Sequence, residues 1–297
     1  MTTENEIADS RIIGPWRTPV NIDSESRTNI HNNEDAKKLG FRGGLVAGSI
    51  HMEMFMPVML EAFGEAWFER GNLSLYFVNA TLDGEEVRAV AERSAGDRDS
   101  CQVETFGERP DGTVLGKGTA GIGAPNDLTA LRIRDLSPFP PGELRILKDV
   151  HPGDTFPTIE TSVASEYHQE RLQVITEMMP WYTDASRWGG LVASPVTFVD
   201  ALANPSRAWV AERNPHPVVG MFGVIEMRYV NGPMLVDVPY RCEGQVLAVG
   251  QSPKTEHFWY DSHIDDENGK RIADMRMMVR YVKASSKLYS EDATTHA

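Results

Sequence analysis

The sequence predicts an α+β fold made of two copies of one unit, each a buried helix followed by an antiparallel sheet that wraps it. Three observations lead there. First, the 297-residue chain repeats itself. FRGGLVA (41–47) returns as RWGGLVA (187–193), Phe77-Val78-Asn79 as Tyr229-Val230-Asn231, Glu104 and Phe106 as Glu256 and Phe258, and the turn RPDG (109–112) as DENG (266–269). Matches in one order at a period near 150 residues mean a duplicated domain rather than a solenoid. Second, the stretch after the first GGLVA is apolar almost all round (Ile50, Met52, Met54, Phe55, Val58, Met59, Leu60, Phe63), the mark of a helix buried inside a domain. Third, several β-rich runs separated by Gly, Pro, Asn and Asp follow in each copy, as antiparallel strands require.

The elements follow in order. Met1 to Ser10 is polar and acidic, without the basic and apolar regions of a signal peptide. A polar stretch, Thr28 to Asp35, leads into a short helix, Glu34–Leu39. The buried helix is expected over 49–70, with Pro57 starting a new turn or kinking it. Strands are expected at 73–79, 86–92, 101–108 and 113–121. Residues 122–146 hold Ala124-Pro125-Asn126-Asp127 and Ser137-Pro138-Phe139-Pro140-Pro141-Gly142, a proline density that reads as a linker crossing the surface. The second copy begins near Leu147, with its helix at 195–213 and strands at 222–230, 236–248, 254–261 and 271–283. The units are thus 10–123 and 147–283, joined by a Pro-rich linker, 124–146, and followed by a polar tail, 284–297.

Asn29-Ile30-His31, Gly43-Gly44-Leu45-Val46-Ala47-Gly48, Val150-His151-Pro152-Gly153-Asp154 and the run from Pro180-Trp181-Tyr182 to Ser194-Pro195 resemble the MaoC-like hydratase/dehydratase family. The resemblance spans most of both copies. It implies a double hotdog fold, each half a buried helix wrapped by an antiparallel sheet. The family's hydratase motif is G-D-x-N-P-[LIV]-H, with Asp and His as catalytic pair. His31 fits the His, while Ser26 stands for the Asp and Thr28 for the Asn. In the second copy Tyr182 takes the His position and Glu177 the Asp position.

Composition narrows the functions. Asp+Glu (43) exceeds Lys+Arg (29), a net charge of −14, which argues against nucleic acid and against anionic membrane surfaces as partners. Ile50 to Phe63 is too short to span a bilayer. Cys101 and Cys242, the only cysteines, read as free thiols of a cytoplasmic protein. There is no G-x-G-x-x-G, Walker loop or HExxH, and the histidines at 151, 168, 216, 257 and 263 have no metal-ligand spacing, so neither metal nor cofactor is expected. The 13 methionines, Met52, Met54, Met56, Met59, Met178 and Met179 among them, suit core packing or an adaptable apolar cavity.

Hydration or elimination beside a carbonyl needs a proton carrier, a group to handle the water and donors for the enolate oxygen. His31 is the candidate general acid/base. The first turn of the buried helix, Gly48-Ser49, is the candidate oxyanion hole, since its amides are free and the helix dipole favours negative charge; Pro195 leaves the second copy poorer. Glu53 and His51 sit on an otherwise apolar helix, where a carboxylate is costly unless paired or functional. About 200° apart around the helix, they cannot face one cavity equally. Asp23 could replace the missing carboxylate from the loop before His31. Arg42, beside GGLVA, is a candidate for an anionic substrate group or a surface salt bridge. Tyr182 and Asp184 could face the cleft from the second copy.

The reading that results is a lyase of the hydratase/dehydratase type acting β to a carbonyl, on a CoA thioester or a related apolar or aromatic substrate, in a homodimer. Only the cleft lined by His31 and Gly48 is expected to work. Two alternatives stand: a non-catalytic binder of acyl or hydrophobic ligands on a decayed hydratase, and a hotdog thioesterase with Glu53 activating water.

Overall fold

The computed structural model describes residues 10–22, 24–25, 29–94, 100–123, 128–136, 142–214, 218–286 and 289. Among the described residues ten strands form a single sheet: β1 (Arg11–Ile13), β2 (Gly71–Phe77), β3 (Arg88–Glu92), β4 (Cys101–Glu108), β5 (Val114–Ile122), β6 (Ile159–Thr161), β7 (Gly220–Tyr229), β8 (Tyr240–Gln251), β9 (Thr255–Asp265) and β10 (Arg271–Val282). Their spatial order is β1-β3-β4-β5-β2-β7-β10-β9-β8-β6. Every strand pair is antiparallel, and both edges are strands of three residues, which limits the unpaired backbone left exposed. The halves meet where β2 pairs β7, from Asn72 opposite Arg228 to Tyr76 opposite Val224.

The helices are α1 (Asn33–Lys38), α2 (Gly48–Glu53), α3 (Met56–Phe63), α4 (Trp67–Arg70), α5 (Ser165–Leu172), α6 (Pro180–Thr183) and α7 (Pro195–Arg213). The apolar stretch expected as one helix over 49–70 is three. Pro57 opens α3, as a residue without an N–H does well, and Gly64 (φ 65°) ends it in a conformation other residues avoid. In the second copy α7 runs unbroken, with Pro205 inside it. Both copies' buried helices lie against the sheet and meet through Ile50 and Val196. Met52, Met56 and Met59 pack in this core, while Met178 is exposed. The sequence offered no sign of β1 and β6, too short for periodicity, nor of α5, whose residues SEYHQERL are mostly polar.

Hydrogen bonds show which repeats are structural. The amides of Val78 and Asn79 both donate to Leu115 O, and those of Val230 and Asn231 both donate to Ile272 O. The side chains of Asn79 and Asn231 likewise bond Val114 O and Arg271 O. The turns RPDG and DENG match too: Gly112 donates to Arg109 O, and Gly269 to Asp266 O. Two textual matches do not hold. Those turns set Arg109 against Asp266, which places Glu104 opposite Asp261 and Phe106 opposite His263, not Glu256 and Phe258. The GGLVA elements are also one residue out of step, since Leu45 N bonds Ile30 O where Val192 N bonds Trp181 O.

The connection between the copies is partly structured. Residues 124–127 and 137–141 lie outside the described residues, as do 287–288 and 290–297 of the tail. Residues 128–136 lie across the face of the sheet away from the helices, where Leu131 packs on Val224, Trp259 and Met278. Glu226, fully buried on β7, holds this strap: Thr129 donates to one carboxylate oxygen and Arg132 Nε to the other at 2.6 Å. A second buried carboxylate, Glu256, accepts the amides of Arg145, Ile146 and Leu147 at 2.9–3.0 Å. Removing one partner of a buried ion pair leaves the other uncompensated, so Glu226→Ala should cost about 3 kcal/mol in urea denaturation. It should also speed exchange at the Ala130 and Leu131 amides, which bond Thr119 and Ser74 side chains. Unchanged exchange there would mean that Glu226 does not hold the strap.

Candidate functional site

A cleft of about 190 Å³ opens where β2, β7 and the loop before α2 converge; His31, Gly48, His51, Thr81, Phe222 and Arg280 are among its lining residues. Local packing fixes the His31 loop. Asn32 caps α1, accepting the amides of Glu34 and Asp35. Asn33 Oδ1 accepts the Gly44 amide at 2.9 Å, and Asn21 Nδ2 donates to His31 O at 2.7 Å. Gly44 must be glycine, because a Cβ there would stand 2.0 Å from His31 O. His31 Nδ1 lies 2.7 Å from Leu45 O. A carbonyl only accepts, so Nδ1 carries the proton, and in the neutral ring Nε2 keeps a lone pair.

Gly48 opens α2 beside Phe77, whose ring a Cβ would approach to 2.8 Å. The Gly48 and Ser49 amides have no backbone acceptor among the described residues, as first-turn amides lack an intrahelical one. His51, one turn on, is buried. Burial, and secondarily the Arg109 guanidinium, bring its pKa to about 4, so it is neutral near pH 7. Beyond His31 a second chamber of about 700 Å³ follows α7, sharing His31, Gly220, Met221 and Phe222 with the cleft and walled by Val210, Tyr260 and Tyr281.

Other sequence candidates fall elsewhere. Glu53 points to the opposite side of α2 from the cleft, as its angle from His51 requires. It is wholly buried beside Tyr182, and neither carboxyl oxygen has a hydrogen-bond partner. Burial raises its pKa well above the ordinary carboxylate value; Tyr182 opposes the shift and Glu177 adds to it. Burial therefore favours the neutral form of Glu53. Arg42 is exposed and pairs with Glu85 at 2.6 Å rather than entering the cleft. Asp184 is an exposed residue at the end of α6. Asp23, with Ser26 and Thr28, lies outside the described residues.

Tyr182 fills the matching position in the second copy. Ile30 O and Trp181 O accept equivalent amides, so His31 corresponds to Tyr182. The same step carries Gly48 to Pro195 and His51 to Phe198, and the bonds Val46 N to Thr81 O and Ala193 N to Met234 O carry Thr81 to Met234. The two imidazoles and the threonine of the first cleft have thus become aromatic or apolar side chains. Tyr182, Phe198 and Tyr229 are fully buried, with Phe198 at 5.6 Å and Phe68 at 6.0 Å from the Tyr229 ring.

No family model matches the chain, and no curated protein matches it in sequence. Solved structures do. A MaoC domain protein dehydratase from Chloroflexus aurantiacus J-10-fl superposes with a TM-score of 0.60 at 11% identity over 92% of this chain and 95% of its own. A conserved hypothetical protein of Mycobacterium tuberculosis with a double hotdog fold gives 0.53 at 10% identity, covering 92% and 96%. The fold is a double hotdog. A further MaoC-like dehydratase matches at 0.52 and 14% identity over 92% of this chain and 97% of its own, and at such identities the likeness is one of fold. Among the described residues no helix of this double hotdog chain is long and apolar enough to cross a membrane.

Thr81 and Arg280 went unnoticed in the sequence. Arg280 sits in the strand MVRYV, where alternation marks only a sheet face, and Thr81 in a loop joining strands. Nothing local says that both end at one cleft.

The raised pKa of Glu53 gives a pH test. Its folded pKa lies above the ordinary value of 4.5, so the stability tied to its retained proton is complete below that value and is lost as pH rises through the folded one. Glu53→Gln has no such proton to lose. Between pH 5 and pH 8 the wild type should lose stability relative to Glu53→Gln in paired urea titrations. A constant difference would mean that Glu53 is already ionised in the folded chain.

Proposed function

We propose that the double hotdog chain is a lyase of the hydratase/dehydratase type, acting β to the carbonyl of an acyl-CoA or a related apolar or aromatic acyl substrate. One observation carries this reading: His31, its Nδ1 proton committed to Leu45 O, lines the same cleft as the free first turn of α2. In hydration, His31 Nε2 takes a proton from water as the water oxygen bonds the β-carbon. The alkene electrons move to the carbonyl oxygen, where the Gly48 and Ser49 amides would stabilise the enolate. The enolate collapses as the α-carbon takes the proton from His31, so water is added across the double bond and the imidazole returns to its starting state. Neutral His51 offers a hydrogen bond without a competing charge. The larger chamber along α7 accommodates the apolar part of the substrate.

A second reading, a non-catalytic ligand binder, is favoured by one fact: no carboxylate lines the cleft among the described residues. The thioesterase reading is less favoured, because the carboxyl meant to activate water, Glu53, is buried on the other side of α2 and pushed toward its neutral form.

Incubation with short enoyl-CoA and acyl-CoA thioesters, following water addition and thiol release separately, decides among them. On whichever enoyl thioester is hydrated, His31→Ala should lower kcat by about 10²–10⁴-fold with an unchanged melting temperature. Glu53→Gln should be mild, since its carboxyl does not face the cleft. Full activity in His31→Ala would remove the acid/base role, and no turnover of any thioester by the wild type would leave the binder.

A further inference from the structure

Arg280 is half-buried and lines the cleft, and no carboxylate pairs with it among the described residues. In a chain with 43 acidic and 29 basic side chains this is unexpected, since acids abound to neutralise a cation that folding buries. Its charged surroundings make matters worse. Arg134 is close enough to be felt electrostatically, and His257, opposite Arg280 on the neighbouring strand β9, is held toward its neutral form by burial and by both arginines. The backbone makes room for this side chain: a Cβ on Gly223 would stand 2.9 Å from Arg280 Nε, so glycine keeps the path clear. In the same cleft Thr81 Oγ1 is buried and has no hydrogen-bond partner. A half-buried cation with no counter-ion among the described residues and a buried hydroxyl without a partner both cost free energy unless something else satisfies them.

We propose that Arg280, with the Thr81 hydroxyl, binds a free carboxylate of the substrate, so that the ligand is a short unsaturated or β-hydroxy acid carrying its own negative charge close to the reacting carbon. A guanidinium suits a carboxylate because its planar fork can give two parallel N–H···O bonds. The choice of a carboxylate over a carrier's phosphate follows from size. Arg280 lines the same 190 Å³ space as His31 and Gly48, whereas the phosphates of a CoA thioester are separated from the carbonyl by the whole pantetheine arm. The polar cleft would take the charged end and the chamber along α7 the uncharged end, with His31 at the boundary they share. The nearness to the reacting carbon rests on the proposed hydration site; the anion site itself does not.

Crotonate and its neutral isostere crotonamide test the assignment by binding alone, measured by calorimetry or ligand-observed NMR on the intact protein. The wild type should bind crotonate about tenfold more tightly than crotonamide. Arg280→Met should abolish that preference, Arg280→Lys should keep part of it, and all three proteins should melt cooperatively. His31→Ala should retain the preference, which separates this proposal from the hydratase reading: a wild type that hydrates nothing but still prefers crotonate would sink that reading alone. Equal binding of the two probes, or no binding of crotonate, would overturn the carboxylate site. Displacement of crotonate by free coenzyme A, lost in Arg280→Met, would assign the guanidinium to a carrier phosphate and overturn it equally.

Discussion

The pairing of β2 with β7 is the contact on which the rest of the molecule depends. It turns two half-sheets, each with an open edge, into one sheet whose edges are three-residue strands. It also brings two buried helices side by side, touching at Ile50 and Val196. The cleft exists only because of this seam: His31, Gly48 and Thr81 come from the first copy, while Phe222 and Arg280 come from the second. Neither copy alone holds the set. The buried Glu226, next to the seam on β7, fastens the connecting strap over the outer face, so the covalent link between the copies reinforces the strand pairing.

A two-fold repeat generates two equivalent positions, and side-chain volume makes them unequal. Where the first copy has imidazoles, a glycine and a threonine, the second has Tyr182, Phe198, Pro195 and Met234. Aromatic rings at those places close the space and join the core, with Phe68 from the first copy lying against Tyr229 and Trp181. The exchange leaves Glu53 facing tyrosine hydroxyls in a dry interior, where a proton costs less than a charge. The two sides of one short helix therefore hold opposite electrostatic problems: a neutral imidazole toward the cleft and, toward the filled site, a carboxyl that burial pushes toward its neutral form.

Much of this was legible in the sequence because it rests on periodicity and composition. The apolar run from Ile50 to Phe63 announced a buried helix, and the repeated Val-Asn after β2 and β7 marked a true equivalence. Identity of letters was a weaker guide. The GGLVA elements align one residue away from their textual match, and Glu256, paired on paper with Glu104, instead receives three backbone amides at the entry to the second copy. Sequence spacing separated His51 from Glu53 by angle but could not say which faced the cleft, since that depends on packing across the seam. Arg42 and Asp184 were read from their neighbours in the chain; their spatial neighbours are Glu85 and solvent. Arg280 lay out of reach for the converse reason, being nearly 250 residues from His31 in the chain and brought to it only by the continuous sheet.

The filled site in the second copy has a consequence for how the chain can change over time. A site that must stay open cannot be optimised for packing, because each void or unsatisfied group in it lowers stability. Duplication followed by closure of one site divides that burden. The second copy supplies cohesion, and the first is free to keep the exposed polar groups and empty volume that ligand binding demands. Sequence drift should accordingly be uneven: the walls of the closed site tolerate any apolar set of similar volume, whereas the walls of the open one are constrained by chemistry rather than by bulk.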